Sequence, residues 1–105
     1  MNAVKTGSYV GTGAAVTVEL GFTPDYIRVW NETDGDEAYE WFKGMTNGHA
    51  LKSGNSASTQ FSKITSNGIS AYAGTVADKS AGITFGSALS ESGKTWRYAA
   101  FRELD

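Results

Sequence analysis

The feature that most constrains this chain is its punctuation. Short runs of β-branched and aromatic residues are cut, every few positions, by glycine, asparagine or serine. No window of about eleven residues keeps apolar side chains at i, i+3, i+4 and i+7 without such an interruption, so no regular helix is expected. The strand pattern is clear instead. Val16-Thr17-Val18-Glu19-Leu20 alternates, with Val16, Val18 and Leu20 on one side and Thr17 and Glu19 on the other. A period of two marks a strand with one buried and one wetter face. Gly21 to Asp25 reads as a turn, in which Pro24 fixes its own φ.

Further strands are predicted on the same grounds. Tyr26 to Trp30 places Ile27 and Val29 on one face and Tyr26, Arg28 and Trp30 on the other. Ala38 to Lys43 puts Tyr39 and Trp41 together, opposite Phe42. Ile69 to Ala73 is a weak strand and Ile83 to Phe85 a short one. Thr95 to Arg102 ends the pattern, with Trp96, Tyr98 and Ala100 on one side and Ala99 and Phe101 on the other. Asp34-Gly35, Asn47-Gly48 and Asn67-Gly68 are hairpin signals, since both central residues of a type I′ turn need positive φ. Ser53 to Ser62 is expected to be a long polar loop, and a short turn is expected near Thr75 to Ser80. These readings predict an all-β chain: one domain over residues 1–105, with seven or eight short antiparallel strands in a β-sandwich or jelly-roll-like barrel.

Composition narrows the function. The 105 residues include 13 glycines and one proline, which favours tight turns over a disordered linker. Net charge is −2, without the basic surface that nucleic-acid binding requires. No apolar run approaches the roughly 20 residues of a membrane helix, and no basic amphipathic stretch suits a membrane surface. No nucleic-acid or membrane partner is therefore expected. The first seven residues lack the apolar segment of a signal peptide, and the chain has no cysteine. Synthesis in a reducing cytoplasm is expected, with no disulfide, thiolate metal site or cysteine nucleophile.

Catalytic patterns are near-misses. His49 is the only histidine, so it has no second imidazole for a metal and no Gly-x-Ser-x-Gly elbow beside it. Ser92-Gly93-Lys94-Thr95 resembles the end of a phosphate-binding loop, but Ala88 occupies the position of the required first glycine and a strand follows instead of a helix. Gly11-Thr12-Gly13 lacks its third glycine and its helix. Both are read as turns feeding strands. The acidic run Glu32 to Glu37 offers oxygen ligands for a cation but does not fit an EF-hand loop, and a solvated loop is the plainer reading. The chain is expected to be no enzyme, with no catalytic residue, cofactor or metal.

The aromatics carry more information. Trp, Tyr and Arg are enriched at interface hot spots. Trp96 and Tyr98 continue a face with Ala100 and are expected in the core. Tyr39 and Trp41 flank the charged loop, which makes them the stronger contact candidates. The candidate interface is Arg28, Trp30, Tyr39, Trp41 and Phe42. The same aromatics suit stacking on a sugar, so a carbohydrate- or receptor-binding module is the alternative to a protein-binding one.

Two stretches add a resemblance. Gly7-Ser8-Tyr9-Val10-Gly11-Thr12-Gly13 leads to Leu20-Gly21-Phe22-Thr23-Pro24-Asp25-Tyr26-Ile27-Arg28-Val29. Gly82-Ile83-Thr84-Phe85-Gly86 leads to Ser92-Gly93-Lys94-Thr95-Trp96-Arg97-Tyr98-Ala99-Ala100-Phe101. In this order they resemble small structural proteins of tailed bacteriophages, while residues 32–81 match nothing in that pattern. The resemblance implies a β-sandwich virion component made in the bacterial host cytoplasm. A head decoration (cement) protein comes first, and a tail- or fibre-associated part second. The implied partners are the major capsid protein or other virion proteins. Self-association is implied too, as a trimer.

Overall fold

A computed structural model describes residues 2–54, 61–74 and 81–103. Among these, eight strands form one antiparallel sheet: β1 (Asn2–Val10), β2 (Val16–Glu19), β3 (Tyr26–Asn31), β4 (Glu37–Phe42), β5 (His49–Gly54), β6 (Phe61–Tyr72), β7 (Gly82–Phe85) and β8 (Thr95–Glu103). A three-residue 3₁₀ turn, Ser87–Leu89, precedes β8. The spatial order is β1-β8-β3-β4-β5-β6-β7-β2. Strands β3 to β7 thus form a meander, while the β1–β2, β2–β3 and β7–β8 connections pass between the two ends of the sheet. The all-β expectation holds. The sandwich-like packing arises within a single sheet that turns back on itself.

The alternation in the sequence explains how. Ile27 and Val29 of β3 pair with Trp41 and Tyr39 of β4, and all four are buried. Ile69, Ile83 and Phe85 come from the other end of the sheet and join the same core with Leu89, Trp96 and Ala100. Across this core the Tyr9 ring of β1 stacks on Phe85 of β7, with centroids 4.5 Å apart. Phe85 also meets Tyr98 of β8, at 5.9 Å. Two ends of one sheet therefore face each other, each covering the other's apolar side.

Strand β1 was not expected. Its core-facing positions include Gly7, whose missing side chain makes room for the Tyr98 hydroxyl, 2.6 Å from where a Cβ would stand. Small residues there erase the period-two signal. Of the long loop expected for Ser53 to Ser62, Ser53 and Gly54 belong to β5 and Phe61 and Ser62 to β6, and residues 55–60 lie outside the described residues. The turn expected near Thr75 to Ser80 lies outside the described residues.

The three hairpin signals resolve differently. Asp34-Gly35 and Asn47-Gly48 do lie in turns, but only Gly35 (φ 68°) and Gly48 (φ 90°) take positive φ, so neither turn is type I′. Asn67-Gly68 is no hairpin tip. It lies inside β6, where the register jumps from Ala50↔Ile64 to His49↔Ile69. Asn67 has φ 58°, and the Gly68 N–H donates to the Gly48 carbonyl at 2.9 Å. The irregularity divides β6 into a half that pairs with β5 and a half that pairs with β7, which is where the sheet changes direction.

The two glycine-rich near-misses fold against each other. The Gly11 N–H donates to the Lys94 carbonyl at 2.8 Å, and the Gly93 N–H returns to the Gly11 carbonyl at 3.0 Å. The Gly13 and Thr12 N–H groups donate to the Ser90 carbonyl and hydroxyl, at 2.7 and 3.0 Å. Amides that would cradle a phosphate are consumed in holding β1 to the start of β8. Both segments are turns feeding strands, as the sequence predicts.

Candidate functional site

The outer face of the sheet is read off its register, because paired residues in an antiparallel ladder point to the same side. Val4 pairs with Phe101, Phe101 with Tyr26, and Tyr26 with Phe42. These four side chains make one row across β1, β8, β3 and β4. The Tyr26 ring lies 4.8 Å from that of Phe42 and 5.8 Å from that of Phe101. A second row runs Thr6, Ala99, Arg28, Glu40, Leu51 and Lys63. A third runs Ser8, Arg97, Trp30, Ala38, Ser53 and Phe61.

Every large apolar side chain exposed among the described residues lies on this outer face: Val4, Val10, Trp30, Phe42, Leu51, Phe61 and Phe101. Phe61 is 82 % exposed. Isolated exposed apolar residues are ordinary, whereas a contiguous set on one face marks an interaction surface.

Of the five candidates from sequence, Arg28, Trp30 and Phe42 stand on this face. Tyr39 and Trp41 do not. Each is only 2 % exposed, on the opposite side of β4, where pairing with Val29 and Ile27 draws them into the core. Closeness in sequence to the acidic loop does not bring them to the surface, because strand parity decides which face a side chain takes. Val4, Tyr26, Leu51, Phe61 and Phe101 were missed as surface candidates. Trp96 is fully buried and Tyr98 half-buried.

Charges on this face are mostly paired. Glu40 accepts the Tyr26 hydroxyl and lies 3.5 Å from the Arg28 guanidinium. Burial, and then the adjacent Glu40 carboxylate, push the Tyr26 phenol above its usual pKa. The Arg28 guanidinium also covers the indole of Trp30, 5.1 Å from the ring centroid. Arg97 bonds Glu32.

The acidic loop is held in the same way. Asp34 meets Lys94 at 3.2 Å, which holds the lysine in its charged form, and Glu37 meets Lys52 at 3.6 Å. Glu32, Asp34 and Glu37 therefore point at separate cations, and among the described residues no three His, Cys, Asp or Glu side chains converge. His49 opens β5 without such a group around it. Also among the described residues, no helix is long and apolar enough to cross a membrane.

Two grooves border Trp30. One of about 670 Å³ lies toward β1 and β8, over Thr6, Gly7 and Ala99. A smaller one of about 250 Å³ lies toward β4 and β5, over Ala38, Ser53 and Gly54. Comparison with protein-family models, with curated proteins and with solved structures finds no match to this chain.

Proposed function

We propose that this chain is a non-enzymatic virion structural protein, a head decoration protein of a tailed bacteriophage, acting through the outer face of its sheet. The observation that carries the binding role is the row Val4, Phe101, Tyr26 and Phe42: three aliphatic or aromatic side chains and a tyrosine ring aligned across four strands, with no layer covering them among the described residues. The resemblance of the chain's two ends to small phage proteins supports the virion setting. The apolar row suits an apolar ridge on the capsid protein, with the neighbouring Arg28–Glu40 pair fixing register rather than adding much affinity. A protein that binds only the expanded shell stabilises that state by mass action. Self-association, as the trimer the resemblance implies, would multiply weak contacts through avidity.

Sedimentation with mature heads that lack the protein tests this reading. Saturable co-sedimentation is expected, lost in the double variant Phe42→Ser/Phe101→Ser. Failure of the unmodified protein to sediment with heads overturns the decoration role. Light scattering after size exclusion reads the oligomer, and a clean monomer counts against the trimer.

A further inference from the structure

We propose that Trp30 is the platform of a binding site for an uncharged oligosaccharide, separate from the apolar row. Trp30 lies four residues along β3 from Tyr26, or about 13 Å at ~3.3 Å per residue. Between them stands the polar pair Arg28–Glu40. Of the three tryptophans, Trp41 and Trp96 are buried, while Trp30 is 41 % exposed.

Its surroundings are built for a flat ligand with a polar rim. Its partner on β4 is the small Ala38, its partner on β8 is Arg97, and Thr6, Gly7 and Ala99 line the groove beyond. Trp30 lines both hollows, of about 670 and 250 Å³. Arg28 packs over one face of the ring, which fixes its orientation before any ligand arrives and leaves the opposite face for the sugar. An aromatic face is an apolar plane, and the C–H face of a pyranose is its natural complement.

Electrostatics select the charge class. Arg97 beside the larger groove is bonded to Glu32, and Glu37 beside the smaller one lies 3.6 Å from Lys52. An anion at Arg97, or a cation at Glu32 or Glu37, has to compete with one of these ion pairs. A neutral polyol does not: its hydroxyls donate to the carboxylate lone pairs still free and accept from the remaining guanidinium N–H groups. A few polar groups around an apolar platform are what an orienting small-ligand site requires.

The test uses the full chain and three probes: cellotetraose, maltotetraose and chitotetraose. Because Trp41 and Trp96 are buried, acrylamide quenching of indole fluorescence reports mainly on Trp30. At least one tetrasaccharide is expected to shield Trp30 from acrylamide and to bind saturably by calorimetry. Trp30→Ala is expected to weaken that binding about tenfold or more. Trp30→Phe keeps a ring and loses less, while Phe42→Ser leaves sugar binding unchanged. The site is refuted if none of the three sugars protects Trp30 at about 10 mM, a concentration that reveals even millimolar affinity. Sugar binding that survives in a folded Trp30→Ala variant refutes it too, as does protection by a proline-rich decapeptide in place of the sugars. Head binding and sugar binding are measured separately, at different residues, so either reading can fail alone.

Discussion

Tyr9 and Phe85 stack face to face, with ring centroids 4.5 Å apart and planes inclined by 17°. The pair joins the first strand to the seventh, across the core rather than along the sheet. The Tyr9 hydroxyl also donates to the Leu89 carbonyl at 2.8 Å, tying β1 to the 3₁₀ turn. Removing the hydroxyl and removing the ring should therefore have separable costs. Tyr9→Phe keeps the stack and is expected to lose about 1 kcal/mol, an ordinary hydrogen bond. Tyr9→Ala also opens a cavity between the two ends of the sheet, with an expected loss of about 3 kcal/mol. Urea unfolding followed by near-ultraviolet circular dichroism measures both. Equal losses would show that the stack contributes nothing.

Alkali should act through the tyrosines. Burial pushes the Tyr9 phenol well above its usual range, and Tyr39 beside it adds to the effect. Burial, and then Glu37, raise Tyr39 likewise. In the unfolded chain both ionise near the ordinary value of about 10. Above that pH the folded state keeps protons that the unfolded state releases, so stability is intact below about pH 10 and falls as pH rises beyond it. The phenolate absorbance of these two residues is expected to appear together with unfolding. Tyr26 behaves differently, since it is only half-buried on the outer face, where burial and then Glu40 raise its pKa. Glu40→Ala should bring Tyr26 to ionise at lower pH, before the global transition, and absorbance at 295 nm in a pH titration separates the two events.

Gly11 and Gly13 lie two residues apart and should fail for different reasons. A Cβ on Gly11 would stand 2.1 Å from the Glu91 carbonyl oxygen, so any side chain there must push two backbone segments apart. That displacement breaks the paired Gly11–Lys94 and Gly93–Gly11 hydrogen bonds. Gly11→Ala is expected to cost about 2 kcal/mol or more. Gly13 has space around it but φ +84°, so Gly13→Ala costs only the strain of a left-handed residue, about 1 kcal/mol. Thermal unfolding of the two variants checks the order, and a Gly13→Ala loss larger than that of Gly11→Ala would contradict it.

The strands that read clearly in the sequence are those with a large apolar side chain at every second position. Ile27 and Val29 announce β3, and Trp96 with Tyr98 announces β8. Strand β1 was silent because Gly7 sits where a bulky residue would reveal the pattern, its space taken by Tyr98. Asn67-Gly68 signalled positive φ correctly in kind, but a dipeptide cannot distinguish a hairpin tip from an irregularity within a long strand. For β4 the sequence separated Tyr39 and Trp41 from Phe42. Which set faces water depends on whether they lie opposite Ile27 and Val29 or opposite Tyr26, a matter of register with another strand. The outer row is harder still to foresee. Val4, Tyr26, Phe42 and Phe101 come from four strands and become neighbours only through pairing. A one-dimensional pattern reports the parity of each strand, while the surface is made by the alignment of parities between strands.

Trp41 and Trp30 test that alignment directly, because they belong to adjacent strands and opposite faces. Trp41 is 2 % exposed and lies opposite Ile27 in the core, whereas Trp30 is 41 % exposed on the outer face. The Trp41 indole N–H has no acceptor among the described residues, so the expected cost of truncation is mainly that of the cavity. Trp41→Ala is expected to lose about 3–5 kcal/mol, enough to unfold a marginally stable domain. Trp41→Phe refills part of the space and should lose much less. Trp30→Ala gives up its contact with the Arg28 guanidinium, worth about 0.5–1 kcal/mol at an exposed site, together with the apolar area the half-exposed indole covers, and its loss is expected to be smaller than that of Trp41→Ala. Urea midpoints of the three variants measure the difference. A Trp30→Ala loss as large as that of Trp41→Ala would place Trp30 among the groups that hold the fold together, and the outer face would then no longer be free to bind.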